Sequence, residues 1–251
     1  LLSEESLVTW GWRVPFVIGA VLAVVVFWIR RNLDESRAFN SQRRKRLAPA
    51  GATTLFITHW RPTLLVFVIT VVGSTGFYVY IGYMQKFLVN SSGFHPETAA
   101  RLMTTALVLF LFLQPLFGWI SDYVGRRRVL VASFGLMAII TAPTMRALST
   151  TTAPFEAFLL LMLLLIAFSG YTALGAVVKA ELFPSSIRAL GVGVPYALAN
   201  AIFGGSGEFL ALWSKQAGYE ELFFYYMAAL MLLGMIASLF LPDSREVDLI
   251  G

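Results

Sequence analysis

Seven apolar stretches of membrane-spanning length constrain this chain more than any other feature of its sequence. A helix needs about 20 apolar residues to cross a hydrocarbon core of ~30 Å. Stretches of roughly that length lie at residues 14–30, 63–86, 99–118, 129–147, 155–178, 189–213 and 222–241. None of them alternates in the manner of a β-strand, and lipid admits only helices or closed barrels as spanning structures. The sequence therefore predicts an all-α membrane protein with seven spans.

The composition excludes several other classes of protein. Charged residues make up 13% of the chain, against about 25% in ordinary globular proteins. There is no cysteine, which excludes disulfide frameworks and thiolate sites. His59 and His95 fall in loops on opposite sides of the predicted membrane, so no metal site is predicted. No Gly-Lys-Ser/Thr sequence is present to cradle a phosphate. We therefore expect a protein that is not an enzyme and that takes no cofactor.

The basic residues are unevenly distributed between the two sides of the predicted membrane. Only five of the 19 Lys and Arg residues lie on the side of residue 1, and the remainder, Lys179 included, are assigned to the opposite side. Because basic loops remain in the cytoplasm, we expect an external N-terminus and a cytoplasmic C-terminus. The net charge of +5 is thus assigned to topology, and no nucleic-acid partner is predicted.

One long connection separates the first predicted span from the other six. It contains the basic cluster Arg43-Arg44-Lys45-Arg46, which either docks to anionic lipid headgroups or only sets the topology. We expect an external segment and the last helix of an N-terminal half at residues 1–30, and a cytoplasmic central loop at 31–61. A C-terminal six-helix half would occupy residues 62–242, and a cytoplasmic tail 243–251. Six helices make one half of many transporters, so the expected partner is an N-terminal half of the same transporter.

A glycine- and arginine-rich motif follows the third predicted span. It reads Gly118-Trp-Ile-Ser-Asp122-Tyr123-Val-Gly125-Arg126-Arg127-Arg128. The glycines permit a tight turn, and the arginines are able to pair with Asp122. The motif resembles the G-x-x-x-D-(R/K)-x-G-R-(R/K) sequence of the major facilitator superfamily, in the loop between the second and third helices of each half. Tyr123 stands where that family usually has a cation.

A second motif follows the fifth predicted span and agrees with this resemblance. Glu181, Pro184 and Arg188 are similar to the E-x-x-P-x-x-x-R element of the same superfamily. Proline interrupts the helix there, and the opposite charges bracket the turn. Such cytoplasmic ion pairs either hold an inner gate closed in one state or are surface pairs worth ~0–1 kcal/mol.

Further segments resemble the metabolite:proton symporter branch of the superfamily. They lie at residues 10–16, 83–90, 188–193 and 199–205. The resemblance implies proton-coupled symport of a small organic anion such as 2-oxoglutarate across the inner membrane, by alternating access. The alternatives are another metabolite (shikimate, citrate, or proline and betaine), or a transport-inactive half that serves as a membrane scaffold.

Apart from Glu156, at the very start of the fifth predicted span, Glu208 is the only acidic residue inside a predicted span. A charged side chain at membrane depth usually serves a function. Glu208 follows Asn200 by eight residues, or about 12 Å along an α-helix, so we expect both to face one cavity that handles substrate or protons. Because Glu208 is also near the external end of its span, an external interface is the alternative.

Other candidate binding residues lie in the second and third predicted spans. Gln85 follows Tyr78 by seven residues, nearly on the same face of an α-helix. Lys86 lies at the external end of that span, where it either binds a dicarboxylate or extends its ammonium group to the interface. Gln114 precedes Pro115, which predicts a polar side chain at a kink.

Overall fold

The computed structural model describes residues 4–32 and 52–242, which form two separate units divided near residue 47. The first unit contains a short helix, Glu4–Thr9, and a membrane-length helix, α1 (Gly11–Arg31). The basic cluster at residues 43–46 and the tail at 243–251 lie outside the described residues, as does most of the central loop.

The second unit contains six helices long and apolar enough to cross a membrane. They are α2 (Trp60–Asn90), α3 (Pro96–Val124), α4 (Arg126–Thr150), α5 (Pro154–Glu181), α6 (Arg188–Gln216) and α7 (Glu220–Leu239). A short helix, Ala52–Ile57, precedes them within the stretch assigned to the central loop. With α1, the described residues give seven candidate spans and no strand, so the prediction of an all-α protein with seven spans is confirmed.

Proline and glycine mark the ends of several helices. Pro96 and Pro154 occupy the first position of α3 and α5, where their missing N–H group costs no hydrogen bond. Gly125 alone separates α3 from α4. Its backbone φ of 102° is one that residues other than glycine rarely adopt. The turn in the first motif therefore consists of a single residue, Gly125.

The core of the second unit forms where α4 packs against α5 and α7, while α2 packs against α6 and α7. The buried side chains include Tyr80 and Phe134. The Tyr80 hydroxyl lies 3.0 Å from the Thr141 hydroxyl and joins α2 to α4. A Cβ atom at Gly170 would lie 1.9 Å from the Ser133 Oγ, so this glycine allows α5 to approach α4 closely.

Two of the helices contain a π-helical segment. One covers Tyr78–Tyr83 in α2, and the other covers Asn200–Gly204 in α6. A π-helical turn holds more residues than an α-helical turn, so side chains beyond the segment point in a different direction from that expected of a continuous α-helix. The two segments lie close together, since a Cβ atom at Gly204 would be 3.0 Å from the Tyr78 ring.

Candidate functional site

A cavity of about 520 Å³ lies among α2, α5 and α6. Its walls carry aromatic rings, hydroxyl groups, an amide and one ammonium group. These belong to Tyr78, Tyr171, Thr172, Lys179, Tyr196 and Asn200. Two of the predicted site residues, Tyr78 and Asn200, are thus brought together in one cavity. Its volume lies within the range of about 300–1,000 Å³ that is typical of small-molecule sites.

Lys179 lines the cavity, although the sequence analysis assigns it to a loop. The apolar stretch ends at Val178, but α5 continues to Glu181. Lys179 is buried, with 4% of its surface exposed. Its Nζ donates to the Tyr171 hydroxyl at 3.3 Å and to the Thr70 Oγ1 at 3.4 Å. The spacing of Lys179 eight residues after Tyr171 was the signal available in the sequence.

Two tyrosine rings surround the ammonium group of Lys179. Its Nζ lies 5.1 Å from the ring centroid of Tyr196 and 5.5 Å from that of Tyr171, within the range of cation–π attraction. Gly73 leaves room for the ring of Tyr171, since a Cβ atom there would lie 1.8 Å from the Tyr171 Cζ. The wall of α2 thus packs directly against the ring that contacts Lys179.

Gln114 supports the cavity wall from behind. Its side-chain amide donates to the Phe110 carbonyl at 2.9 Å and accepts a hydrogen bond from the Thr172 hydroxyl, also at 2.9 Å. Thr172 lines the cavity, whereas Gln114 does not. Gln114 therefore contacts the cavity wall through Thr172 and does not line the cavity itself.

The structure places the other predicted binding residues away from this cavity. Lys86 and Glu208 form an ion pair that joins α2 to α6, and Gln85 is exposed on α2. The π-helical segment that begins at Tyr78 explains the position of Gln85. It separates the two residues, so positions that share one face of a regular α-helix are turned apart. Glu208 lies eight residues further along α6 than Asn200 and pairs with Lys86 outside the cavity.

The two motifs meet at a different ion pair from the one expected. Arg126, the first residue of α4, pairs with Glu181, the last residue of α5. Asp122 is exposed and forms no ion pair with any described residue. Arg188 instead donates from its Nε to the Phe183 carbonyl at 3.2 Å, across the turn that contains Pro184.

Gly118 and Arg127, two other residues of the first motif, have different surroundings. A Cβ atom at Gly118 would meet nothing within 4 Å, so close packing in the described residues does not account for this glycine. Arg127 lies beside the Arg126–Glu181 pair in a small pocket closed by Leu241 and Pro242. Within residues 4–32 and 52–242, no three metal-ligating side chains come together.

Comparison with known proteins gives a consistent set of relatives. Residues 66–249 match the Major Facilitator Superfamily. The chain is 43% identical to the alpha-ketoglutarate (2-oxoglutarate) permease of Escherichia coli, over 96% of the chain and 55% of that protein. It is 29% identical to the citrate-proton symporter of Klebsiella pneumoniae, over 99% of the chain and 56% of that protein. It is 24% identical to the shikimate transporter of Escherichia coli, over 98% of the chain and 57% of that protein.

The chain spans about half the length of the curated relatives that it matches. No solved structure matches the chain.

Proposed function

We propose that this chain, which belongs to the Major Facilitator Superfamily, forms the C-terminal part of a proton-coupled symporter. The proposed substrate is a small organic anion such as 2-oxoglutarate. The resemblance to alpha-ketoglutarate permease, at 43% identity, supports this choice of substrate. The proposed location is the inner membrane, with the N-terminus of the chain outside and its C-terminus in the cytoplasm.

The observation that carries this proposal is the cavity among α2, α5 and α6. A carboxylate substrate requires cations and hydrogen-bond donors within a mainly apolar pocket. Here one buried ammonium group, from Lys179, accompanies three tyrosines and an asparagine in a space of about 520 Å³. The organic-anion carriers among the relatives support the same class of substrate.

Transport would occur by rocking of this half against an N-terminal half of the same transporter, around the substrate site. We propose that the Arg126–Glu181 pair stabilises the cytoplasmic end of this half in one of the two states. In the same scheme, the Lys86–Glu208 pair acts at the external end, where it holds α6 against α2. The pair at each end biases the equilibrium between states only to the extent that it differs between them.

Counterflow in proteoliposomes tests the proposed substrate. The protein is purified as its gene encodes it and reconstituted in vesicles loaded with unlabelled 2-oxoglutarate. We expect labelled 2-oxoglutarate to be exchanged inward, and an imposed inward proton gradient to increase its accumulation until a protonophore abolishes the effect. The physical reason is that a symporter moves protons and substrate together. An inward proton gradient therefore drives substrate inward, and a protonophore removes that gradient.

Parallel vesicles loaded with shikimate, citrate or glycine betaine serve as controls. Exchange of one of these in preference to 2-oxoglutarate would reassign the substrate within the same branch. Absence of exchange with all four compounds would favour the transport-inactive scaffold.

A further inference from the structure

Lys179 extends toward the inside of the helix bundle, although an exit to solvent is close. It lies two positions before the end of α5 at Glu181. A lysine near a helix end normally carries its ammonium group outward to water. Its Nζ instead contacts the hydroxyl of Tyr171, eight positions earlier on the same helix. The side chain therefore runs back along α5 into the cavity.

No carboxylate accompanies this buried ammonium group among the described residues. The four ion pairs within residues 4–32 and 52–242 use Glu97, Glu181, Glu208 and Glu221, and none includes Lys179. Its partners are the hydroxyl groups of Thr70 and Tyr171 and two tyrosine ring faces. These are neutral, so none of the described residues supplies a countercharge to the ammonium group in the cavity.

An uncompensated charge in a buried site is unfavourable by several kcal/mol on most scales. The contacts to rings and hydroxyls offset this cost in part. A negatively charged ligand in the cavity would complete the compensation, with a charge-assisted hydrogen bond of the kind that binds carboxylates strongly.

We propose that Lys179 is the residue that binds a carboxylate group of the transported anion, and that Tyr171 and Tyr196 hold its ammonium group in position. This inference rests on the proposed function and specifies the substrate class further. A fixed positive charge on the cavity wall repels the quaternary ammonium group of a betaine. The tyrosine faces that would otherwise attract such a cation are already in contact with Lys179. The site thereby selects organic anions over zwitterionic osmolytes.

Lys179→Met in the protein as its gene encodes it is the primary test. Methionine preserves much of the length of the side chain and removes the charge. We expect the affinity for 2-oxoglutarate, measured as ligand-induced thermal stabilisation and as half-saturation in counterflow, to fall by about 30-fold or more. Lys179→Arg should retain a measurable part of the binding because it retains the charge.

The melting temperature without ligand separates binding from a structural role. Removing a buried charge that lacks a countercharge should leave this temperature unchanged or raise it. Lys215→Met is the matched control, since Lys215 contacts Asn90 and Ser91 rather than the cavity. This control should retain the wild-type affinity.

The outcomes distinguish this inference from the proposed function. A wild-type protein that is stabilised by 2-oxoglutarate, citrate or shikimate, together with an equally stabilised Lys179→Met variant, overturns the inference alone. A Lys179→Met variant that melts below the wild type without ligand, but binds the anion with unchanged affinity, also overturns the inference. A wild-type protein that responds to none of the three anions contradicts the proposed function, and this inference with it.

Discussion

Reversing the charge of either Arg126 or Glu181 alone should reduce transport at least ~10-fold, whereas reversing both should restore it to within about threefold of wild type. The two side chains are partly buried, with 26% and 12% of their surfaces exposed. Each single reversal places like charges in contact at this site. We expect the loss to correspond to about 2 kcal/mol, because the pair is neither fully exposed nor fully buried.

The helix dipoles make the double reversal a strong test. Arg126 lies at the N-terminus of α4 and Glu181 at the C-terminus of α5, so each charge is at the unfavourable end of its own helix. Arg126→Glu combined with Glu181→Arg retains the attraction and reverses both dipole interactions to favourable ones. The substitutions are made in the protein as its gene encodes it. The measured quantity is the initial rate of 2-oxoglutarate uptake, divided by the amount of folded transporter.

An exposed ion pair provides the control for these reversals. Arg101 and Glu97 pair within one turn of α3, with most of both side chains exposed. Because water screens such a pair, Glu97→Arg should change uptake by less than about twofold. The repeat of the double reversal combines Arg126→Glu with Glu181→Lys. If uptake recovers in neither double variant, the proposed contribution of the Arg126–Glu181 contact is contradicted.

Gly191→Ala should destabilise the protein strongly, whereas Gly193→Ala, two residues later on α6, should not. A Cβ atom at Gly191 would lie 2.5 Å from the Cγ and Cδ1 atoms of Phe183. Phe183 is 2% exposed and packs with Leu55, Val66 and Ile187. Because the overlap includes the base of the ring, rotation of the ring cannot relieve it. We expect a loss of about 1–3 kcal/mol.

The comparison is measured as the melting temperature of the purified protein and the yield of monodisperse protein. A Cβ atom at Gly193 would meet nothing within 4 Å, and alanine has a higher helix propensity than glycine. The Gly193→Ala variant should therefore melt at or slightly above the wild-type temperature. Equal melting temperatures for the two variants would mean that Phe183 moves away without cost, contrary to this packing.

The number and type of the spans were predictable because apolar length is a property of the sequence itself. All seven stretches lie largely within membrane-length helices, and the expected all-α fold follows. The family assignment was also predictable, since the motif from Gly118 to Arg128 is local. The relatives are transporters, which confirms the expectation that the chain is not an enzyme.

The site was less predictable, because it depends on the directions of side chains. Tyr78 and Asn200 line the cavity, as the sequence predicts, but counting in α-helical turns wrongly places Gln85 on the same face as Tyr78. Glu208 lies outside the cavity because it pairs with Lys86 further along α6. Nothing in the sequence alone marks a π-helical segment at Tyr78–Tyr83 or Asn200–Gly204. Lys179 was missed for a different reason. Hydropathy ends the span at the residue before the lysine and carries no information on whether its side chain points outward or inward.

The partner of Glu181 illustrates a third limit. Sequence proximity favoured Arg188 as the opposite charge and Asp122 as the partner of the arginines. The single-residue turn at Gly125 instead brings the start of α4 to the end of α5, where Arg126 and Glu181 meet. This pairing joins residues 55 positions apart, so only the packing of the helices reveals it.

The assignment of inner and outer ends is tested most directly by thiol labelling in intact cells. The chain contains no cysteine, and any cysteines elsewhere in the encoded protein are replaced. Single exposed cysteines are then introduced in two variants. One is His95→Cys, between α2 and α3, and the other is Ser185→Cys, between α5 and α6. A membrane-impermeant maleimide should label the first variant in intact cells and the second only after permeabilisation. Labelling of the Ser185→Cys variant in intact cells, with protection of the His95→Cys variant, would contradict the topology on which the proposed transport cycle depends.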